Sequence, residues 1–190
     1  INEGYFVNDP DDTGGMTYIG IARNFHADWK GWKIIDLKIS NLGLDSTDKD
    51  TWKTISGHLK AIIILNDEVY DFYKTRFWDP IKGDDIVDQE IACTIFDYAV
   101  NTGKNGASKV AQRVVGCKAD GAIGPTTIKY INKYYAINPG WKFHTEYFKG
   151  KIARYLKIVE RRPTNIKYLF GWTSRSFHML EMELDVDKAN

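Results

Sequence analysis

Apolar positions along this chain recur mainly at steps of three and four residues, the spacing of one face of an α-helix. Phe25, Trp29, Trp32, Ile35 and Ile39 predict a first amphipathic helix. Asn41 to Asp50, rich in Gly, Ser and Asp, reads as a loop. Thr51 opens a long helical pattern carried by Trp52, Ile55, Leu59, Ile62, Ile63, Val69, Phe72, Tyr73 and Phe77. Pro80 and Gly83 stop it. The β-branched run in its middle fits helix or strand. Asp88 precedes a strongly apolar stretch, Ile91 to Asn101, which Gly103 ends and which predicts a central buried helix. Tyr147, Ile152, Tyr155, Leu156 and Val159 form a further stripe, closed by Arg161-Arg162-Pro163.

Two segments depart from that pattern. In Asp120-Gly121-Ala122-Ile123-Gly124-Pro125-Thr126, Asp-Gly makes a tight turn, Ile123 buries, and Pro125 starts the next helix near its first position. The opening segment runs Glu3-Gly4-Tyr5-Phe6-Val7-Asn8-Asp9-Pro10-Asp11-Asp12-Thr13-Gly14-Gly15-Met16-Thr17. It places an aromatic pair, then a carboxylate-rich Pro/Gly turn, then a threonine entering an apolar step. The expected fold class is mostly α, with one short hairpin-like turn near the N-terminus. The tail after Met182 is acidic and polar and is expected to fray.

Composition narrows the function classes. A length of 190 residues suits one domain, or a domain with a small second lobe, and can bury a real core. Net charge +1 leaves no polyanion footprint, so no nucleic-acid partner is expected. The longest apolar run, Ala61 to Leu65, is far short of a membrane span. No secretory-leader pattern opens the chain, and Ile1 lies almost on the motif, so preceding residues are expected to have been removed. Cys93 and Cys117 sit in apolar helical contexts and are expected to be reduced and buried, with no zinc cluster around them. His26, His58, His144 and His178 are scattered, which fits surface or satisfied core histidines. No metal and no cofactor are expected.

The opening segment carries candidate chemistry. Glycoside hydrolysis needs a carboxylic acid to protonate the leaving oxygen, and a carboxylate or held water on the other face of the sugar. Glu3, Asp12 and Thr17 supply both from one turn, with Glu3 as acid and Asp12, or a water held by Thr17, opposite. A general-acid glutamate must stay protonated near neutral pH, which requires partial burial against groups such as Tyr5 or Phe6. Each residue also has a plainer reading alone. A glutamate near a chain end is usually solvated, Asp and Gly build turns, and Thr17 suits a strand.

Taken together, Glu-Gly-x-aromatic-Val-Asn-Asp-Pro-x-Asp-x-Gly-Gly-x-Thr-x-x-Gly-Ile resembles the opening motif of the family 108 glycoside hydrolases. Glu3 matches the family's acid and Gly4 its first glycine, while Tyr5 replaces the second glycine and Phe6 the tyrosine. The spacing of Glu3, Asp12 and Thr17 also resembles the Glu-Asp-Thr arrangement of phage-type lysozymes, one residue shorter between the last two. The resemblance implies a lysozyme-like helical fold and endo-acting N-acetylmuramidase activity on the glycan strands of peptidoglycan. The site of action would be the bacterial wall, periplasmic or extracellular. Some family members carry the label "secretion activator protein".

The resemblance continues along the chain. Tyr73 to Ile86 is similar to the family's Tyr-x-x-x-Tyr-Trp-Asp-Pro segment, with Phe77 for tyrosine, and offers Trp78 as a sugar platform and Asp79 as a polar contact. Phe96-Asp97-x-x-Val100-Asn101-x-Gly103 looks like its core helix, whose polar residues face a cleft floor. Tyr5, Trp78, Asp97 and Asn101 are therefore the substrate-binding candidates, although Asp97 and Asn101 equally fit a pair that bonds neighbouring helices. Ala111 to Thr127 resembles helical peptidoglycan-binding repeats, and Gly171-Trp172-x-x-Arg175 the family's closing motif, whose tryptophan packs the lobes together. The implied division is a catalytic lobe over 1–105 and a peptidoglycan-binding-like helical lobe over 106–190, packed as one compact unit around a cleft. Alternatives are a lytic transglycosylase- or chitosanase-like relative, and a peptidoglycan-binding module without turnover.

Overall fold

The computed structural model describes the backbone of residues 5–189 and the side chains of 5–178, 180 and 181. The fold is mostly α, with one small antiparallel sheet near the N-terminus. The chain divides into two compact units between Lys74 and Thr75.

The first unit begins with strands β1 (Phe6–Val7), β2 (Thr17–Tyr18) and β3 (Ile21–Ala22). Phe6 pairs with Tyr18 and Val7 with Thr17; across the second ladder Tyr18 pairs with Ile21 and Thr17 with Ala22. Phe6, Tyr18 and Ile21 share one face and are all buried, so the register is set by apolar side chains meeting across the strands. Burial pushes the Tyr18 phenol up to about 12, with nearby Tyr5 adding to the effect. The sequence led us to expect one hairpin-like turn; the sheet has a second, the two-residue turn Ile19–Gly20. Both its residues have positive φ, 45° and 75°, as a type I′ turn requires. Ile19 is a β-branched residue in the left-handed region. It is pinned there by its N–H to the Tyr5 carbonyl (2.8 Å) and by the Tyr73 hydroxyl donating to its own carbonyl (2.6 Å).

Helices α1 (Gly31–Leu42), α2 (Trp52–Lys60) and α3 (Ile63–Tyr73) complete this unit. Two helical expectations are corrected here. The first helix starts at Gly31, not Phe25; residues 25–30 form turns, and Phe25 is 67% exposed. Trp29 folds back against Gly31, where an added Cβ would lie 2.3 Å from the indole. The indole N–H of Trp32 donates to the His26 carbonyl at 2.7 Å. The spacing of 25, 29 and 32 thus serves a folded turn rather than a helix face. The long pattern from Thr51 breaks at Ile62, whose backbone is extended. Leu59 and Leu65 are both fully buried, whereas Ile63 and Ile64 are exposed. In an unbroken helix a six-residue step would leave Leu65 about 120° around the axis from Leu59; the break returns both to the core.

The second unit contains α4 (Gln89–Thr102), α5 (Lys104–Val114), α6 (Pro125–Ile137), α7 (Gly140–Arg161) and α8 (Ile166–Ala189). The Asp88 carboxylate caps α4 by accepting the Ile91 N–H at 2.9 Å. Ile91, Ile95, Tyr98 and Ala99 of α4 meet Ala107 and Ala111 of α5 and Phe143 and Tyr147 of α7 in one core. Tyr98 sits edge-on to Tyr147 and Tyr155, both at 5.9 Å, a favoured aromatic geometry. Cys93 is exposed rather than buried, and Cys117 is intermediate. Cys93 lies on the outward side of α4, between buried Ala92 and Thr94. The tail expected to fray continues as α8 through Ala189.

The Asp-Gly turn before α6 is organised by a residue that periodicity did not single out. Gln112, 1% exposed, donates to Asp120 Oδ1 (2.8 Å), the Ala122 carbonyl (3.0 Å) and Thr127 Oγ1 (3.2 Å). Its carbonyl oxygen accepts the Gly121 N–H at 2.9 Å. The amide N–H of Ala122 and the Gln112 side chain hold the Asp120 carboxyl below the usual carboxylate range. Gly121 has φ +90°, and a Cβ there would lie 2.3 Å from Asn105, so glycine is required.

Candidate functional site

Glu3, the candidate acid, lies outside the described residues. Of the other candidates, Tyr5, Asp12 and Thr17 belong to the first unit; Trp78, Asp97 and Asn101 belong to the second.

The segment joining β1 to β2 is a chain of turns closed by its own side chains. Asp9 Oδ1 accepts the Asp11 N–H at 3.1 Å, and Lys49 lies 3.4 Å from Oδ2. The Asp11 amide, with Lys49 as the second cause, holds the Asp9 carboxyl below its ordinary value. Asp12 Oδ1 accepts the Gly14 N–H at 2.8 Å, and the Asp12 carbonyl accepts the Gly15 N–H at 2.9 Å. These two bonds fold the backbone tightly enough that Gly15 has φ +66°, with its α-carbon against the Asn24 amide. Asn24 Nδ2 in turn donates to the Thr13 carbonyl at 3.0 Å. Thr17 then enters β2 half-buried, its hydroxyl donating to the Gly15 carbonyl at 3.1 Å. Asp12 and Thr17 are thus tied to neighbouring residues of one turn, Asp12 through Gly14 and Thr17 through Gly15. Asp12 remains exposed.

Tyr5 is 44% exposed, with Lys60 Nζ 4.9 Å from its ring centroid. Beside the turn, Arg23 makes a bidentate pair with Asp36 at 2.6 and 2.7 Å. The hydrogen bond to Asp36 raises the Arg23 guanidinium above its ordinary value.

In the second unit Trp78 is half-buried and lies flat over Gly83, where a Cβ would sit 2.2 Å from the indole. Its indole N–H donates to Asp84 at 2.7 Å, and its ring meets Phe96 edge-on at 5.6 Å. The indole is held on one side and at its edge, a rigid aromatic surface of the kind sugars stack on.

Asp97 and Asn101 share one side of α4, as their four-residue spacing predicts. Asp97 Oδ1 is 3.2 Å from Arg175 of α8, and Oδ2 is 4.0 Å from Lys151 of α7. Lys151 is 5% exposed and also lies over the Tyr98 ring at 5.1 Å. Asn101 turns back to its own helix, donating to the Asp97 carbonyl at 2.7 Å. Sequence reasoning missed Lys151, because a lysine inside an amphipathic stripe gives no sign of burial. Breaking a buried ion pair by removing one partner costs about 3 kcal/mol or more. Asp97→Ala is therefore expected to lower the melting temperature by roughly 6–12 °C, at 2–4 °C per kcal/mol for a chain of this size. Unchanged thermal unfolding would show that Lys151 and Arg175 do not depend on it.

The family model described as "Glycosyl hydrolase 108" matches residues 1–103, and that described as "Predicted Peptidoglycan domain" matches residues 106–177. Among solved structures the chain is similar to that of Brucella abortus SagA, with a TM-score of 0.63. The identity is 24%, over 96% of this chain and 87% of that one. At that identity the likeness is one of fold. No curated protein matches the chain.

Proposed function

The chain belongs to the glycosyl hydrolase 108 family, and on that premise we propose that it is an endo-acting muramidase. It is a glycoside hydrolase acting on peptidoglycan. The bond we assign is the β-1,4 link from N-acetylmuramic acid to N-acetylglucosamine, with Glu3 donating the proton to the leaving oxygen. The observation that carries the reading is the turn between β1 and β2. Its family-like sequence is closed on itself by the Asp12–Gly14 and Thr17–Gly15 bonds, which is the kind of preorganisation catalysis rewards. On an inverting route Asp12 is the base that activates water on the far face of the sugar, and Thr17 orients that water. Tyr5 and Trp78 offer aromatic faces to the glycan, and Asp97 and Asn101 supply polar contacts. The substrate places the reaction at the cell wall, periplasmic or extracellular. No described helix is long and apolar enough to cross a membrane.

Product analysis of purified peptidoglycan tests this. New reducing ends are expected on muramic acid. 1,6-Anhydromuramic ends would identify a lytic transglycosylase, and cutting of glucosamine polymers alone a chitosanase-like enzyme. Binding without new ends would leave a wall-binding module.

A further inference from the structure

The chain's 26 basic and 25 acidic residues nearly cancel, but they are not evenly spread. A groove of about 710 Å³ runs between α5 and α7, within the second unit. Lys109, Arg113, Lys149, Arg154, Lys157 and Arg161 line it. Glu146 is the one carboxylate of the lining, and it pairs with Lys149 at 2.7 Å. The groove exists because two glycines let the helices approach. A Cβ at Gly150 would lie 2.6 Å from Val110, and one at Gly106 would lie 2.9 Å from the Arg154 guanidinium. Arg154 therefore lies against the backbone of α5. Its Nε is buried and has no hydrogen-bond partner among the described residues.

We propose that this groove binds the acidic stem peptides of peptidoglycan through their carboxylates, rather than the glycan. The inference rests on the peptidoglycan reading above and adds which part of that polymer the second unit holds. The lining contains no aromatic residue, so it offers no stacking face for a sugar. Its apolar lining of Val110, Val114, Ala153 and Ile158 suits short aliphatic side chains. Its α7 cations extend from Lys149 to Arg161, about 18 Å at the helical rise of 1.5 Å per residue. A row of that length fits several charges along an extended peptide better than a single small anion. Arg154 and Arg113 present planar forks that match carboxylates in two-bonded geometry. The groove also lies within the stretch matching the peptidoglycan-domain model.

The test measures binding of the whole chain to the disaccharide–peptide product of the proposed cut and to the same disaccharide without its peptide. Wild type is expected to bind the peptide-bearing fragment about tenfold more tightly or better, with the preference weakening as salt rises. Carbodiimide amidation of the peptide carboxylates is expected to remove the preference, an arm that needs no variant. The double variant Arg113→Glu, Lys157→Glu, at two exposed positions, should lose it as well. Equal affinity for both fragments, or a preference surviving amidation, overturns the proposal. Tighter binding of a polyphosphate of matched charge also overturns it, in favour of a general polyanion groove. Release of reducing ends from peptide-free glycan, measured on wild type, reports on the hydrolase separately. Failure of the groove and failure of the muramidase reading therefore give different results.

Discussion

Glu3→Gln is expected to abolish lysis of purified peptidoglycan while leaving the melting temperature unchanged. The amide keeps the shape of the side chain and loses only the proton it would donate. Proton transfer from a positioned acid contributes about a hundred- to ten-thousand-fold in rate, and the whole of that is at stake in one substitution. A turbidity assay comparing the two proteins reads it directly. Retention of more than about a tenth of wild-type activity in a folded variant would move the acid elsewhere, because such a loss is too small for a missing general acid.

On an inverting route Asp12→Asn should cost nearly as much, and the geometry of the turn separates that loss from a loss of folding. Among the described residues, the one bond the Asp12 side chain gives to the fold is acceptance of the Gly14 N–H through Oδ1. An asparagine carbonyl can accept the same bond, and Asn suits such turns nearly as well as Asp. The turn should survive, then, while the capacity to take a proton from water is lost. Thr17→Ala should cost less. It removes one hydroxyl, now bonded to the Gly15 carbonyl, worth about 1 kcal/mol or roughly fivefold in rate. Activity on purified walls, with melting temperature as control, separates the two roles. A fully active Asp12→Asn enzyme would reduce Asp12 to turn construction and leave Glu3 as the assigned residue.

Where local chemistry is decisive, the sequence could be read. Asp88 and Gly103 bracket α4, and Pro125 opens α6, because capping and proline geometry act over a few residues. The family-like motif located the N-terminal turn, and its Asp and Gly residues take the turn roles expected of them. What escaped depends on contacts distant in sequence. Ile63 and Ile64 look like core residues in a helical pattern, yet burial of Leu59 and Leu65 together forces a break between them. Cys93 occupies an apolar run but falls on the outward side of the helix. Nothing local in the sequence says that the cation-bearing faces of α5 and α7 adjoin. The near-zero net charge concealed the groove further, by averaging it over the whole chain.

The Gln112 hub bears on the order in which the molecule assembles. Its partners lie eight to fifteen positions along the chain, a short excursion whose closure takes little entropy from an unfolded chain. The bond that fixes the Ile19 turn joins residues 54 positions apart, through Tyr73. Short-range closure is the fast kind. In a refolding experiment the α5–α6 corner can therefore be in place, and the turn carrying Asp12 and Thr17 closed by its own two-residue-range bonds, while the Ile19 turn still waits for α3 to arrive.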